Sequence, residues 1–194
     1  RLSRAWLARL AEAGALRSLS RGRRAALWKA LAIPAGEGDL FAGRLPPEPE
    51  ASLPEASAAE EVARDYAASG LSEKAHPLAF LRPALAARGT RTAAELSRLR
   101  DRAAVEVAGM VIVRQRPETA KGILFVSLED ETGIANLVVM PDVYERQRAL
   151  ARGAAFLLAR GRLERTGRVV NVRVRELLPL APAPDVEAAS RDFH

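Results

Sequence analysis

From Val105 to Leu177 the spacing of apolar residues changes from three or four to two, and this change restricts the possible folds more than any other feature. Apolar residues that alternate with polar ones predict a strand with one buried side. Five such strands follow one another, with one helix between the third and the fourth. We predict strands at 105–114, 123–129, 134–140, 154–164 and 169–177, and the helix at 142–151.

This order of elements predicts an OB-fold, a small five-stranded barrel whose outer face and long loops bind single-stranded nucleic acid. A basic loop at 115–122 joins the first two strands, and an acidic turn that ends at Gly133 joins the second to the third. An arginine-rich hairpin at 165–168 joins the last two. The predicted class is α+β, with N-terminal helical segments of the helix-hairpin-helix type followed by a five-stranded OB-fold barrel.

The region before the barrel shows helical spacing on both sides of a segment rich in proline. Ser57 and Glu60 form the sequence pattern of a capping box and predict the start of a helix. The predicted organisation is the end of a helix-hairpin-helix region at 1–32, a linker at 33–57, connecting helices at 58–103, the OB-fold at 104–178 and a flexible tail at 179–194.

The chain has 30 basic and 24 acidic side chains, a net charge of +6. The excess lies in residues 1–31 and 105–178, which carry net charges of +7 and +3. Such blocks favour a polyanionic partner.

The absence of cysteine excludes disulfides and fits a cytoplasmic protein. No apolar run is long enough to predict a membrane span, and the start at Arg1 suggests a piece of a longer chain.

The strongest alternation, in the fifth strand, places apolar residues on one side and polar or cationic residues on the other. Phe125 is a candidate stacking platform for a base, with packing in the barrel core as the alternative. Cations of the first loop and the last hairpin are expected to border one groove. The predicted nucleic-acid contacts are Arg114, Arg116, Lys121, Phe125, Arg160, Arg162, Arg165, Arg168, Asn171, Arg173 and Arg175.

The sequence predicts no catalytic residues and no metal site in this chain. The three carboxylates at 129–131 lie in a tight turn without a nearby histidine, so a structural turn is the preferred interpretation. Leu40 and Phe41 are two large apolar residues in the linker. They are either an anchor onto a neighbouring domain or a short peptide that binds a partner's groove.

Four stretches resemble the C-terminal region of the bacterial error-prone DNA polymerases. That family is a C-family paralogue of the replicative polymerase III alpha subunit and belongs to the damage-induced mutagenesis system. The final stretch is similar to the family's own C-terminus. The matching stretches are Leu10–Leu19 with Arg23–Trp28, Asp65–Leu78, Val107–Pro117 with Thr119–Gly122 and Leu128–Asn136, and Ser190–His194.

The resemblance implies that the parent protein is a DNA-directed DNA polymerase that uses Mg²⁺. The family's metal-binding aspartates have no match here, so this segment is expected to carry no cofactor. It would guide single-stranded template DNA during translesion synthesis and repair. Accessory mutagenesis proteins are further expected partners. A sliding clamp is another, since Asp39, Leu40 and Phe41 resemble the end of a clamp-binding peptide.

Two other functions remain open from the sequence. OB-folds also bind proteins, so the chain could be an adaptor that recruits mutagenesis partners. It could also be a tRNA-binding OB domain of the anticodon type, although the aromatic content of 5% disfavours it.

Overall fold

The computed structural model describes residues 2–33, 53–181 and 191–193. Within these residues the helices are α1 (Arg4–Glu12), α2 (Gly22–Ala32), α3 (Ala58–Ser69), α4 (Pro77–Ala87), α5 (Ala93–Leu96), α6 (Pro141–Arg146) and α7 (Arg148–Gly153). The strands are β1 (Ala104–Gln115), β2 (Leu124–Asp130), β3 (Gly133–Val139), β4 (Phe156–Thr166), β5 (Val169–Pro179) and β6 (Arg191–Phe193). A short 3₁₀ turn, Glu118–Ala120, lies in the loop between β1 and β2.

Side-chain caps determine where the connecting helices begin. Ser57 and Glu60 form the predicted capping box at the start of α3. The helix ends at Gly70, whose left-handed backbone (φ 74°) suits a residue without Cβ. A second capping box, at Thr92 and Glu95, starts α5.

The five long strands form a closed barrel. They pair in the order β2-β3-β5-β4-β1, and β1 pairs again with β2 to close the ring. The first half of β1 lies antiparallel to β4, and its second half lies antiparallel to β2. β3 and β5 pair in parallel. The five-stranded barrel predicted from the sequence is therefore confirmed.

Leucine and valine fill the interior of the barrel. The alternation predicted in β2 is confirmed, because Leu124, Val126 and Leu128 are buried in the main core. Leu137 of β3 and Val172 of β5 are fully buried in the same cluster. Each strand therefore has an inner apolar side and an outer side that remains for other contacts.

Helices α3 and α4 cover one part of the barrel's outer surface. A second cluster joins Ala63, Leu78 and Leu85 of these helices to Met110 of β1 and Leu158 of β4. The outer sides of β1 and β4 are thus partly buried, as is the C-terminal end of β5 at Leu178, whereas the described residues of β2 and β3 are not part of this cluster.

The first two helices share a small cluster of their own. Ala11, Ala26 and Ala30 are its buried members, with partly buried leucines around them. A helical hairpin at this position agrees with the sequence, whereas its assignment to the helix-hairpin-helix type remains a prediction.

Two segments differ from the predicted elements. The helix predicted at 142–151 is divided at Gln147, whose side-chain amide exchanges two hydrogen bonds with the backbone of Leu177 (2.6 and 2.8 Å). Within the predicted tail, residues 191–193 pair in parallel with Val113–Gln115 of β1. Leu40 and Phe41, in the predicted linker, lie outside the described residues.

Among the described helices, none has both the length and the apolar character needed to cross a lipid bilayer.

Candidate nucleic-acid interface

The outer side of β2, β3 and β5, which we call the open face, carries the residues that point to nucleic-acid binding. Pairing partners in adjacent strands lie on the same side of a sheet, about 5 Å apart. The register therefore orders the outward side chains into rows that cross the strands. Two such rows combine aromatic, amide and cationic groups.

The first row, which we call the aromatic row, crosses all five barrel strands. Its members, in order, are Gln115, Phe125, Val138, Arg173 and Arg162. Phe125 is 39% exposed, so the alternative that its ring packs in the barrel core is wrong. The row places the accessible ring on β2 and the Arg173 guanidinium on β5 within the open face, and Arg162 follows on the adjacent β4.

The second row, which we call the amide row, lies two residues from the aromatic row on each strand, later in β2 and β4 and earlier in β3 and β5. Its members are Ser127, Asn136, Asn171 and Glu164. The Ser127 hydroxyl donates a hydrogen bond to Asn136 Oδ1 (3.2 Å). Glu164 accepts one from Arg173 Nη1 (3.2 Å), which joins the two rows.

The two arginines of the aromatic row differ in their charge environment. Arg173 forms an exposed ion pair with Glu164, and such pairs contribute little to stability. Among the described residues, Arg162 has no ion-pair partner within 4.0 Å, and it is exposed. Of the two arginines in the row, Arg162 is therefore the more available to form an ion pair with a phosphate.

Arg160 lies on the same strand as Arg162 but is neutralised by two carboxylates. Its guanidinium donates to Glu106 Oε2 (2.7 Å) and Glu176 Oε2 (3.2 Å), and these hydrogen bonds raise its pKa. Burial raises the pKa of Glu106, but hydrogen bonds from Thr90 and Arg160 outweigh it and lower the value overall. Arg160 therefore contributes mainly to joining β1, β4 and β5.

The loop between β1 and β2 contributes two cations at the Phe125 end of the open face. Arg116 lies over the ring of Tyr144, 4.4 Å from its centroid, and is 4.0 Å from Glu145. The stack orients the guanidinium without burying it. Lys121 is exposed at a left-handed position (φ 50°). Both residues are accessible to a ligand.

The prediction that Arg114 borders this loop as a ligand contact is wrong. Its side chain is buried, and it donates to the carbonyl oxygens of Ala151 (2.8 Å) and Ala154 at the end of α7. A β-bulge between Val111 and Val113 explains the difference, because the extra residue reverses which side chains point inward. Arg114 then pairs with the core residue Val126 and caps carbonyls at a helix C-terminus.

Arg165 is also engaged in the fold. Its guanidinium donates to the carbonyl oxygens of Ser97 (2.8 Å) and Leu99 (3.0 Å), which ties the β4–β5 turn to the segment after α5. The predicted role of Arg165 as a groove cation is therefore not supported by its contacts.

The two basic loops do not converge on one side. Phe125 lies near the start of β2, next to the first loop, whereas the β4–β5 turn follows Thr166, at the level of the β2–β3 turn. Four residues of strand separate these levels, about 13 Å.

Arg168 is exposed in that distant turn. Arg175, at a β-bulge, borders a depression with Arg91 and Arg160 instead.

The acidic turn is a structural joint. Asp130 Oδ1 accepts hydrogen bonds from the backbone of Thr132 (2.7 Å) and Gly133 (3.1 Å), and its Oδ2 accepts one from Ala93 at the start of α5 (2.8 Å). Arg82 of α4 pairs with Asp130 (3.1 Å) and with Glu131. The turn thus connects the helices to the barrel.

The described part of the chain contains no cluster of three or more histidine, aspartate or glutamate side chains that could bind a metal. That this segment carries no cofactor remains a prediction, as does the use of Mg²⁺ by a longer parent protein.

Asn136 and its contact with Ser127 are features of the face that the site prediction did not include. The alternation of β3 did place Asn136 on the polar side, next to Ala135 and Leu137 on the other. Strand order decides its importance, because only the β3–β5 pairing brings it next to Asn171.

Comparison with known proteins agrees with this architecture. Residues 105–180 match a family model described as an OB-fold nucleic acid binding domain. Among solved structures, asparaginyl-tRNA synthetase from Pyrococcus horikoshii is similar over 48% of this chain and 23% of its own, with 22% identity and a TM-score of 0.41. A likeness of that size carries no functional argument.

Curated relatives match the whole chain. It is 69% identical over 194 residues to the error-prone DNA polymerase of Anaeromyxobacter dehalogenans strain 2CP-C and 47% identical to that of Azoarcus sp. strain BH72. The chain covers 17% and 18% of the length of these proteins. The resemblance inferred from the sequence motifs is therefore confirmed.

Proposed function

Because this chain is related over its full length to one segment of the error-prone DNA polymerases, we propose that it binds single-stranded template DNA for such an enzyme. The aromatic row is the observation that carries the proposal. It presents the Phe125 ring and, two strands away, the Arg173 guanidinium on the open face, and Arg162 continues the row on β4.

The chemistry of the row suits a single strand. A base stacked on an aromatic ring contributes about 1–3 kcal/mol, and every base can stack in this way. The arginines of the same row can pair with the phosphates of the bound strand. Arg116 and Lys121 extend the cationic surface at the Phe125 end. A strand would thus be held by its bases and by its backbone together.

The wider role follows from the relatives. We propose that the parent protein is a DNA-directed DNA polymerase, that its reaction uses Mg²⁺ bound by residues outside this segment, and that it acts in the cytoplasm. This segment then guides the template strand during translesion synthesis, while another part of the enzyme adds nucleotides.

The test is the binding of a labelled single-stranded oligonucleotide at two salt concentrations. We expect Phe125→Ala to weaken binding about 5- to 150-fold, which is the range for one stacked base. We expect Arg162→Ala to weaken it and to reduce the salt dependence by about one phosphate contact.

Arg4→Ala is the matched control, because Arg4 is exposed on α1, whose main contacts are with α2 and α3. Its affinity for the oligonucleotide should equal that of the unsubstituted chain. Absence of binding by the unsubstituted chain at low salt would refute the proposed function. Unchanged binding by both Phe125→Ala and Arg162→Ala would place the interface elsewhere.

A protein-docking role is the second candidate, and one observation favours it. Six large apolar side chains of the first two helices and their flanks are exposed, among them Trp6 (57%) and Trp28 (50%). An accumulation of exposed apolar residues is typical of a protein contact. The partner could be an accessory mutagenesis protein, a sliding clamp or the remainder of the polymerase itself.

The two candidates can be separated by one variant. Trp6→Ser combined with Trp28→Ser should abolish co-purification of a protein partner and leave oligonucleotide binding unchanged. A tRNA-binding domain of the anticodon type would instead prefer tRNA in competition with single-stranded DNA.

A further inference from the structure

The amide row contains every asparagine of the chain. Asparagine occurs only at positions 136 and 171 among 194 residues. These two residues are direct cross-strand partners in the short parallel pairing of β3 with β5. They lie far apart in the sequence, so the barrel alone brings them together.

Sheet stability does not account for their presence. Asparagine is among the residues that are least favourable in strands, where β-branched residues are preferred. The neighbouring outward positions on the same two strands are Ile134, Val138, Val169 and Arg173, three of which are β-branched or apolar. A valine at either asparagine position would suit the sheet better, so the amides point to another role.

The side-chain amides are available for contacts. Asn136 is exposed, and its Oδ1 accepts the hydrogen bond from Ser127, which orients the amide group. Within the described residues its Nδ2 group donates no hydrogen bond, and the half-buried Asn171 side chain makes none. The pair therefore presents donors and acceptors on the open face.

The position of the pair relative to Phe125 completes the arrangement. Ser127 follows Phe125 by two residues on the same strand side, a rise of about 7 Å. A base stacked on the Phe125 ring would extend its edge over the amide row. Asparagine forms paired hydrogen bonds with a base edge, as it does with adenine, and unstacked bases expose such edges.

We infer that Asn136 and Asn171 read the edges of bases on the open face and give the domain a preference among bases. This inference rests on the proposed binding of single-stranded DNA. Phe125 and the arginines would supply contacts that tolerate any sequence, whereas the amides would add contacts that depend on the base.

The test compares oligo-dA, oligo-dC and oligo-dT of equal length, each bound to the parent chain and to Asn136→Val combined with Asn171→Val. Valine retains strand propensity and removes every hydrogen-bonding atom. We expect the parent to bind its preferred oligomer about tenfold more tightly than its poorest. In the double variant this ratio should approach one, with the salt dependence unchanged.

Ser127→Ala is the control for orientation and should reduce the ratio less, because it removes only the hydrogen bond that positions Asn136. Circular dichroism establishes that the variants fold. A parent that binds all three oligomers equally, or a double variant that loses affinity equally for all three, would overturn the inference while leaving the proposed function intact. A parent that binds none would refute the proposed function itself.

Discussion

The barrel and the α1–α2 hairpin are stabilised by different means. Fully buried leucines and valines such as Leu137, Leu157 and Val172 fill the barrel, and each contributes about 1.5–3 kcal/mol on burial. The hairpin buries three alanines and leaves Trp6 and Trp28 exposed. The barrel can therefore depend on its own core, whereas the hairpin depends on what it contacts.

That contact consists largely of ion pairs with α3. Arg23, which is 2% exposed, pairs with Asp65 and lies 3.7 Å from Glu61. Arg24 pairs with Glu60 (3.0 Å) in a more exposed position. The barrel is thus stabilised mainly by apolar packing, whereas the attachment of the α1–α2 hairpin depends mainly on charge. Substitutions in the core and substitutions in the ion pairs should therefore destabilise different regions.

The largest effect should come from Gly161→Ala, which tests the barrel alone. A Cβ at this position would lie 2.2 Å from the carbonyl oxygen of Arg173 on the neighbouring strand. Backbone cannot move aside without breaking the β4–β5 pairing, so we expect a loss of more than about 3 kcal/mol or failure to fold. Chemical denaturation measures it.

Gly153→Ala is the matched control, since an added Cβ there meets nothing within 4 Å. It should be neutral or slightly stabilising, because alanine is favoured over glycine in a helix. A Gly161→Ala protein as stable as this control would show that the strands approach less closely than described.

Arg23→Met should produce the next largest effect and act on the hairpin. It removes the cation from two carboxylates in a mostly buried position, and breaking such a pair costs about 3–5 kcal/mol. We expect the amides of α1 and α2 to lose protection in hydrogen exchange while those of the barrel keep theirs.

Arg24→Met is the companion variant, because its ion pair is partly exposed and should contribute less than about 1 kcal/mol. Equal effects of the two variants, or loss of barrel protection in Arg23→Met, would contradict the division into two differently stabilised regions.

The same contrast explains what the sequence could predict. Alternation reports burial directly, so the five strands were predictable to within about two residues, as Leu124, Val126 and Leu128 illustrate. The capping box at Ser57 likewise fixed the start of α3. Strand alternation and helix capping involve residues that are close in sequence, so both can be recognised without knowing which segments pack together.

The inward position of Arg114 was not predictable, because it follows from a β-bulge that depends on how β1 pairs with β2. The same holds for the engagement of Arg165 with carbonyl oxygens after α5 and for the Asn136–Asn171 pair. Contacts between distant segments leave no periodic trace in a single sequence.

Acid should weaken the hairpin's attachment before it affects the barrel. Burial raises the pKa of Asp65, but hydrogen bonds from Arg23 and Ser72 outweigh it and lower the value below 3.8. The folded state therefore binds fewer protons than the unfolded state, and this stabilisation is present above pH 3.8 and lost as pH falls through the folded-state pKa.

Limited proteolysis near α1 and α2 at decreasing pH measures this loss. Asp65→Asn, which cannot titrate, should remove the dependence. A hairpin in the parent that stays protected well below pH 3 would show that Arg23 is not its main attachment.

The smallest effect concerns His76, the residue that caps the start of α4. Its Nδ1 accepts a hydrogen bond from the backbone of Leu78 (3.1 Å), so the imidazole must be neutral to cap the helix. Burial lowers its pKa below 6.5, although the nearby carboxylates of Glu129, Asp130 and Glu131 raise it in part. Stability should therefore be complete above pH 6.5 and fall by about 1 kcal/mol towards the folded-state pKa.

His76→Ser distinguishes capping from titration, because a serine hydroxyl can cap the helix but does not ionise in this range. Its unfolding free energy should be independent of pH between 5 and 7 where that of the parent declines. A decline of equal size in both proteins would assign the titration to another group.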